Sequence, residues 1–380
     1  MKLLNKTVSL LLILFGGASG IQADYFRGSN LKPYRATGAY PYWSTTWTAL
    51  DPKLQFDANG IPYVNYQGTA AYNPVTVAEF SLLAYNRFIK SSRSEDRNAF
   101  LVRSRWLLEH QDTDSGCWFY NFDFNYAAMG ETLSKPWISG MAQGLGISVL
   151  TRAYYLTGDD HYLNAATRAL LPFQKQVEQG GIVRPFTLGP PDSGNAELPF
   201  YEEYPTQPIP SYTLNGFMFS LVGLYDLAQT GNQDAASLFG KGMGTLRVAL
   251  PLFDLGNGSA YDLSHLVRAP RPVHRDTSYH LVHIVLLNAL STATNDPWLL
   301  WYRNHWNSYG TVVDPLAIWS LRLAIWMVRR HPALTGLAAL LFLIGLFLTV
   351  RLVRLSFRER GLKEITPAAN RSISMIRSSA

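Results

Sequence analysis

Between residues 75 and 310 the chain repeats one pattern four times, and that repeat constrains the fold more than any other feature. "VTVAEFSLLAYNRFI" is followed by the polar break "KSSRSEDR" and then by "NAFLVRSRWLLEHQ". "ISGMAQGLGISVLTRAYYL" leads through "TGDD" to "HYLNAATRALLPFQKQV", and "YTLNGFMFSLVGLYDLAQ" through "TGNQD" to "AASLFGKGMGTLRVALPLF". "SYHLVHIVLLNALSTA" leads through "TNDP" to "WLLWYRNHWNSYG". The turns recur roughly every 65–75 residues, the mark of an array of helical hairpins. A first helix that is apolar almost all round is a buried one, and its more amphipathic follower packs outside it. Inner and outer helices alternating around an axis predict a mainly α protein. Its catalytic region, 76–310, reads as an α/α toroid, incomplete or closed by an N-terminal arm. The linkers 111–135, 180–210 and 252–277 would then gather at one end of the barrel. Ahead of the repeats, residues 24–75 are rich in Tyr, Gly, Pro and Asn, and "LQFDANGIPYVNYQG" reads as a short hairpin or extended arm.

The two ends of the chain are of another kind. Residues 1–23 carry Lys2 and Lys6, the apolar stretch "VSLLLILFGG" and small residues up to Ala23, the pattern of an export signal, or of an uncleaved signal anchor. "PALTGLAALLFLIGLFLTV" (332–350) is uncharged and long enough to cross a hydrocarbon core of about 30 Å. Arg329 and Arg330 precede it, at the end of a juxtamembrane helix over 311–331. The larger basic cluster follows it, in a tail over 351–380 that begins at Arg351. That asymmetry predicts a cytoplasmic tail and an exported catalytic domain on a single-pass membrane protein.

The charge of the whole chain, +6, is misleading for the same reason. The tail holds seven Lys/Arg against two Glu and the leader two Lys, which leaves about −1 for residues 24–350. A broadly basic surface for nucleic acid is disfavoured. The single cysteine, Cys117, excludes an intramolecular disulfide framework and a CxxC metal site, and reads as a small packed residue. His280 and His283 stand three apart on one helical face, but no third ligand at a recognisable spacing accompanies them, so no metal is expected. "DLGNGSAYD" (254–262) has the glycines of a phosphate loop without its Lys-Ser/Thr ending, and reads as a tight turn.

The chemistry-bearing residues fall in the linkers. Glu202, Glu203 and Tyr204 stand in "YEEYPTQP", Tyr261 in "YDLSH", and Tyr279 and His280 in "RDTSYHLVH". The plain alternative for the first is a helix entry capped by Ser211 with solvated glutamates, and for the tyrosines amphipathic packing.

In this order, "ISGMAQGLGISVLTRAYYLTGD", "YEEYPTQP", "LNGFMFSLVGLYDL", "LFDLGNGSAYDLSH" and "SYHLVHI" resemble the C-terminal catalytic domain of the D-glucuronyl 5-epimerases, the heparosan-glucuronate 5-epimerases among them. The resemblance runs over roughly residues 55–310. It implies an α/α-toroid domain, a uronate polymer as substrate, and acid–base residues at Glu203, Tyr204, Tyr261 and Tyr279. Asn215, in "LNGFM", matches a substrate-contacting position. Three departures stand out. Ser264 occupies a position where the family usually has an Arg that helps to hold the sugar carboxylate. "HRDTS" replaces an Arg-Trp-Asp run and offers Arg275 one place earlier. The larger β-rich N-terminal region of the animal enzymes is mostly missing.

Inverting carbon 5 of a glucuronate requires removal of a proton beside a carboxylate and its return from the opposite face. Two acid–base groups and a neutralising cation or donor suffice, and no redox cofactor is needed. Holding a tyrosine ionised at neutral pH costs roughly 4 kcal/mol, so cations must assist, and Arg275, His280 and His265 are near in sequence. Glu203 facing Tyr261, with Tyr279 close behind, is the expected arrangement; Glu202 points away into a structural hydrogen bond or salt bridge. The expected partners are an acidic polysaccharide and the membrane through one helix, with no nucleic acid and a homodimer left open. The rival readings are a uronate polysaccharide lyase, which shares the first step, a glycoside hydrolase, and a uronate-binding protein without activity. The hydrolase lacks a well-placed second carboxylate.

Overall fold

The polar turns between the predicted helices do two jobs, and both are visible in the structure. In all four, a residue in the left-handed conformation follows the first helix and the next residue opens the second, and in three of them that next residue caps the helix with its side chain. Those three pairs are Gly158 (φ 72) with Asp159, Gly231 (φ 94) with Asn232, and Asn295 (φ 53) with Asp296. Each of the three second residues accepts hydrogen bonds from backbone N–H groups of the helix it opens. Such a cap stabilises a helix by about 1 kcal/mol.

This is a computed structural model, and it describes residues 33–41, 54–66, 69–126, 130–188, 198–268 and 271–309. These lie within one compact unit, Gly20–Thr311. The predicted export signal (1–23), the juxtamembrane helix (311–331), the membrane helix (332–350) and the basic tail (351–380) lie outside the described residues. Among the described residues no helix is long and apolar enough to cross a membrane.

The hairpins are α1 (Pro74–Ser91) with α2 (Ser94–Glu109), α3 (Gly140–Thr157) with α4 (Asp160–Arg168), and α5 (Leu214–Ala228) with α6 (Gln233–Phe253). A one-turn helix, α7 (Ser264–Val267), precedes the fourth pair, α8 (Thr277–Thr294) with α9 (Pro297–Ser308). Within each hairpin the two helices pack together, and the first helices pack in a row, α1 on α3, α3 on α5 and α5 on α8. The small residues of these inner helices let them approach closely. A Cβ on Gly223 of α5 would stand 2.2 Å from the carbonyl oxygen of Gly144 on α3, and one on Gly144 would stand 2.5 Å from the carbonyl of Phe219. Leu145, Phe217, Leu221 and Leu286 are fully buried where the inner helices meet the rest of the core.

Two predicted boundaries move. "KSSRSEDR" is not a loop: α1 runs to Ser91 and α2 begins at Ser94. Asp96, read as part of a polar break, is buried in the first turn of α2. Arg87 and Arg93 hold it at 3.0 and 2.8 Å. The helix read as 161–177 ends at Arg168, because Pro172 cannot donate to a continuing helix, and two short 3₁₀ turns follow.

The described parts of the arm are a small sheet and a segment that crosses the inner helices. Strands β1 (Leu54–Phe56), β2 (Pro62–Tyr66) and β3 (Thr69–Ala71) form an antiparallel meander, with Leu54 opposite Val64 and Val64 opposite Ala71. Residues 33–41 cross the far end of the inner helices. The Tyr34 amide donates to Thr292 of α8 at 3.3 Å, while Asn86 of α1 exchanges two hydrogen bonds with the Tyr40 backbone. Between them Arg152 of α3 and Asp226 of α5 make a fully buried ion pair of 2.6 Å, completed by the Tyr34 hydroxyl at 2.8 Å. At the opposite end, two of the predicted linkers form small hairpins. These are β4 (Phe124–Tyr126) with β5 (Glu131–Leu133), and β6 (Val183–Pro185) with β7 (Pro199–Tyr201).

Candidate active site

The two adjacent glutamates part company because an extended backbone sends successive side chains to opposite sides. Glu202 is fully buried and accepts from the Ser211 hydroxyl at 2.7 Å and from the Tyr212 amide at 3.1 Å. Tyr212 holds φ 50, a left-handed conformation that costs a bulky residue about 1–3 kcal/mol. The Glu202 carboxylate therefore fastens a strained turn, the structural role expected of it. Ser211 does not cap the helix; Thr213 precedes it in the N-cap position, and the Ser211 hydroxyl is turned to Glu202.

Glu203 turns the other way, against the start of α5. Gly216 makes room for it: a Cβ there would lie 2.4 Å from both Cβ and Oε2 of Glu203. The side chain is 5% exposed. Burial pushes its carboxyl up to about 7, opposed by the nearby Tyr204 hydroxyl, Gly216 amide and Asn215 side chain. None of these reaches Oε2 in hydrogen-bonding geometry, and Oδ1 of Asn215 is equally unpartnered.

The tyrosines converge from three linkers, which supply Tyr126, Tyr204 and Tyr261, and from the first turn of α8, which supplies Tyr279. The Tyr204 and Tyr261 hydroxyls are 3.3 Å apart, and the Tyr261 and Tyr279 rings meet edge to face at 4.5 Å. Tyr126 of β4 stacks on Tyr204 at 4.3 Å. Burial, reinforced by the Glu203 charge, pushes the phenols of Tyr204, Tyr261 and Tyr279 above their ordinary value. All three are therefore proton donors near neutral pH, while Glu203 beside them is able to gain and lose a proton there; burial raises the structural Glu202 to about 7 as well.

The cations expected from sequence proximity stand elsewhere. Arg275 is exposed and hydrogen-bonds Asn257. The His280 ring accepts from the Ser259 amide at 3.0 Å and meets the Trp306 carbonyl at 3.3 Å. Burial keeps it and its neighbour His283 neutral. His265 is half-buried, its Nδ1 unpartnered. Among the described residues no group of three metal-ligating side chains exists. Cys117 is buried, as expected. "DLGNGS" is a tight turn in which the Leu255 amide bonds the Gly258 carbonyl at 3.0 Å.

Two neighbours escaped the sequence reading. His274 lies against the Tyr261 ring at 4.6 Å and bonds Asp262 at 2.8 Å. Glu79 of α1 makes no hydrogen bond or ion pair among the described residues, and burial, then the Glu203 charge, pushes it up to about 8. The latter's signal was a lone acid in the apolar run "VTVAEFSLLAY".

A buried carboxyl titrating near neutrality beside protonated tyrosines defines an acid–base site carried on a mainly helical scaffold. The family model described as the D-glucuronyl C5-epimerase C-terminus matches residues 111–308. The D-glucuronyl C5-epimerase of Caenorhabditis elegans is 35% identical over 241 residues, covering 60% of this chain and 37% of that protein. An uncharacterized protein of Methanocaldococcus jannaschii is 26% identical over 327 residues, 80% of this chain and 99% of its own. Among solved structures, UGL_D88N with dGlcA-Glc-Rha-Glc is similar at a TM-score of 0.41 and 16% identity, over 62% of this chain and 60% of that one. That likeness is too slight to argue from. The chain belongs to the D-glucuronyl C5-epimerase family by its C-terminal catalytic domain, and spans little more than a third of the length of the worm enzyme.

Proposed function

We propose that this protein inverts carbon 5 of D-glucuronate to L-iduronate residues within a heparosan-like glycosaminoglycan polymer. The observation that carries the reading is Glu203, a buried carboxyl near its titration point with an unpartnered oxygen, set beside donors that stay protonated. Glu203 takes the carbon 5 proton, and the carboxylate of the sugar acid becomes enolate-like. A proton from Tyr261, or from Tyr279 behind it, arrives on the other face, and the proton held by Glu203 then passes by way of the Tyr204 hydroxyl to the tyrosinate, which restores both groups. Asn215 contacts the sugar. No step needs a redox cofactor. A lyase would share the first step and then expel the 4-linked sugar; membership of the epimerase family favours reprotonation instead.

The row of inner helices, with the arm crossing from α8 to α1, supports an incomplete α/α toroid closed by that arm. Hydropathy and charge support anchoring by 332–350 with the catalytic region exported and 351–380 in the cytoplasm. The activity is tested by incubating the full chain with uronate polymer and following the product by NMR. Iduronate signals at unchanged chain length are expected; unsaturated chain ends would identify a lyase and new reducing ends a hydrolase.

A further inference from the structure

The acid–base groups described so far leave one requirement open. A uronate carries a carboxylate on the carbon next to the one that reacts, and that carboxylate gains charge as the proton leaves. Around the tyrosine cluster the acids are plentiful and the cations named from sequence are turned elsewhere. A basic side chain does touch the cluster.

His274 rests edge to face on Tyr261, ring centroids 4.6 Å apart. Its Nδ1 is fixed at 2.8 Å by Oδ2 of Asp262, a carboxylate with no exposed surface. Asp262 is itself fully engaged: Oδ2 also accepts from the Tyr126 hydroxyl at 2.5 Å, and Oδ1 from the Ser264 amide at 2.9 Å. Those three donors hold the Asp262 carboxyl low against the cost of its burial. The imidazole is thus bound through one nitrogen to a permanent anion, while its Nε2 bonds no other described residue. The side chain remains 36% exposed. The charged groups facing it are Asp262 and, along its own segment, Asp276, both of which favour the imidazolium; the Tyr261 ring adds a cation–π surface.

We propose that His274, oriented by Asp262 and seated on Tyr261, is the cationic residue that receives the carboxylate of the reacting sugar acid. The proposal rests on the epimerase reading for the identity of that sugar. It does not rest on it for the recognition itself, which is a charge-assisted hydrogen bond from Nε2–H to a carboxylate oxygen. Asp262 is then a positioning residue, since it acts through His274, and Tyr126 holds Asp262.

The test compares binding of the full-length chain to a uronate polymer and to the same polymer with its carboxyl groups reduced to alcohols. The wild type should prefer the uronate by about 10- to 100-fold, the range of a hydrogen bond to a charged group. His274→Gln should lose that preference, and His274→Arg should keep it. The wild-type preference should fade as the pH rises through the His274 titration, whereas that of His274→Arg should persist. Undiminished preference in His274→Gln, or a fade in His274→Arg like that of the wild type, would overturn the proposal. Should His274→Gln fail to fold, the pH behaviour of His274→Arg decides, together with the His274 ring titration by NMR. Added uronate polymer should move that titration upward, and an unmoved titration counts against the proposal. Carbon 5 deuteration is scored in parallel. Its absence in the wild type while preference still depends on His274 removes the epimerase reading and leaves the carboxylate site standing.

Discussion

Replacing Glu203 by Gln should do two opposite things, because a group placed for acid–base work is badly placed for stability. The Glu203 carboxyl rises from an ordinary 4.5 to about 7 on folding. At about 1.36 kcal/mol per pH unit, that rise corresponds to about 3 kcal/mol. The sign follows from proton binding: the native state holds this proton more tightly than the unfolded chain. Below pH 4.5 both states are protonated and nothing is lost. The loss accumulates between pH 4.5 and 7 and is complete above 7. Glutamine cannot ionise, so the stability of Glu203→Gln relative to wild type should climb by up to about 3 kcal/mol between pH 4.5 and 8, whatever the fixed offset of the amide. Glu202 and Glu79, both raised on folding, act in the same direction in both proteins and largely cancel in the difference. Denaturant unfolding of the two proteins at pH 5 and pH 8 measures this directly, while turnover should fall about 10²- to 10⁴-fold. A stability difference that does not change with pH would mean that Glu203 is solvated in the folded protein and the site is misread.

Tyr261→Phe and Tyr279→Phe should each reduce turnover by about 10²–10⁴ with little change in thermal stability; full activity in both would make them packing residues. Glu202→Gln should leave the chemistry largely intact and instead loosen the Ser211–Tyr212 turn, seen as a loss of stability. Asp226→Ala leaves Arg152 buried without its partner and should cost about 3–5 kcal/mol in denaturant unfolding. The same substitution should spare turnover by the protein that remains folded. Gly223→Ala drives a methyl into the Gly144 carbonyl and should destabilise by at least about 1–3 kcal/mol; an unchanged midpoint would show that α3 and α5 separate easily.

The helices were legible because the apolar runs are long and the turns carry their own chemistry, a left-handed Gly or Asn followed by a capping Asp or Asn. Charge at a helix entry was not: Asp96 read as part of a polar break, and it is buried at the start of α2 because Arg87 from α1 and Arg93 just ahead of α2 pair with it while staying exposed themselves. In the site, Glu203 and the tyrosines stood out as acid–base residues through the family resemblance of their blocks, and the opposite fates of Glu202 and Glu203 followed from extended geometry. Proximity in sequence does not fix where a side chain goes. Residues 274 and 275 are neighbours on an extended segment and point apart, so Arg275 goes to Asn257 while His274 goes to Asp262 and Tyr261. Glu79 comes from a helix about 120 residues earlier, a distance no local pattern spans.

Deuterium at carbon 5, followed in D₂O with defined uronate polymer, separates the two proton transfers. The wild type should place deuterium at carbon 5 of both isomers and form iduronate without shortening the chain. Glu203→Gln should exchange neither isomer at an appreciable rate, whereas Tyr261→Phe should still exchange deuterium into the starting glucuronate while forming little iduronate. Iduronate formation in Glu203→Gln at the wild-type rate, or a wild type that leaves carbon 5 undeuterated while cleaving the polymer, would contradict proton abstraction by Glu203 and return by the tyrosines.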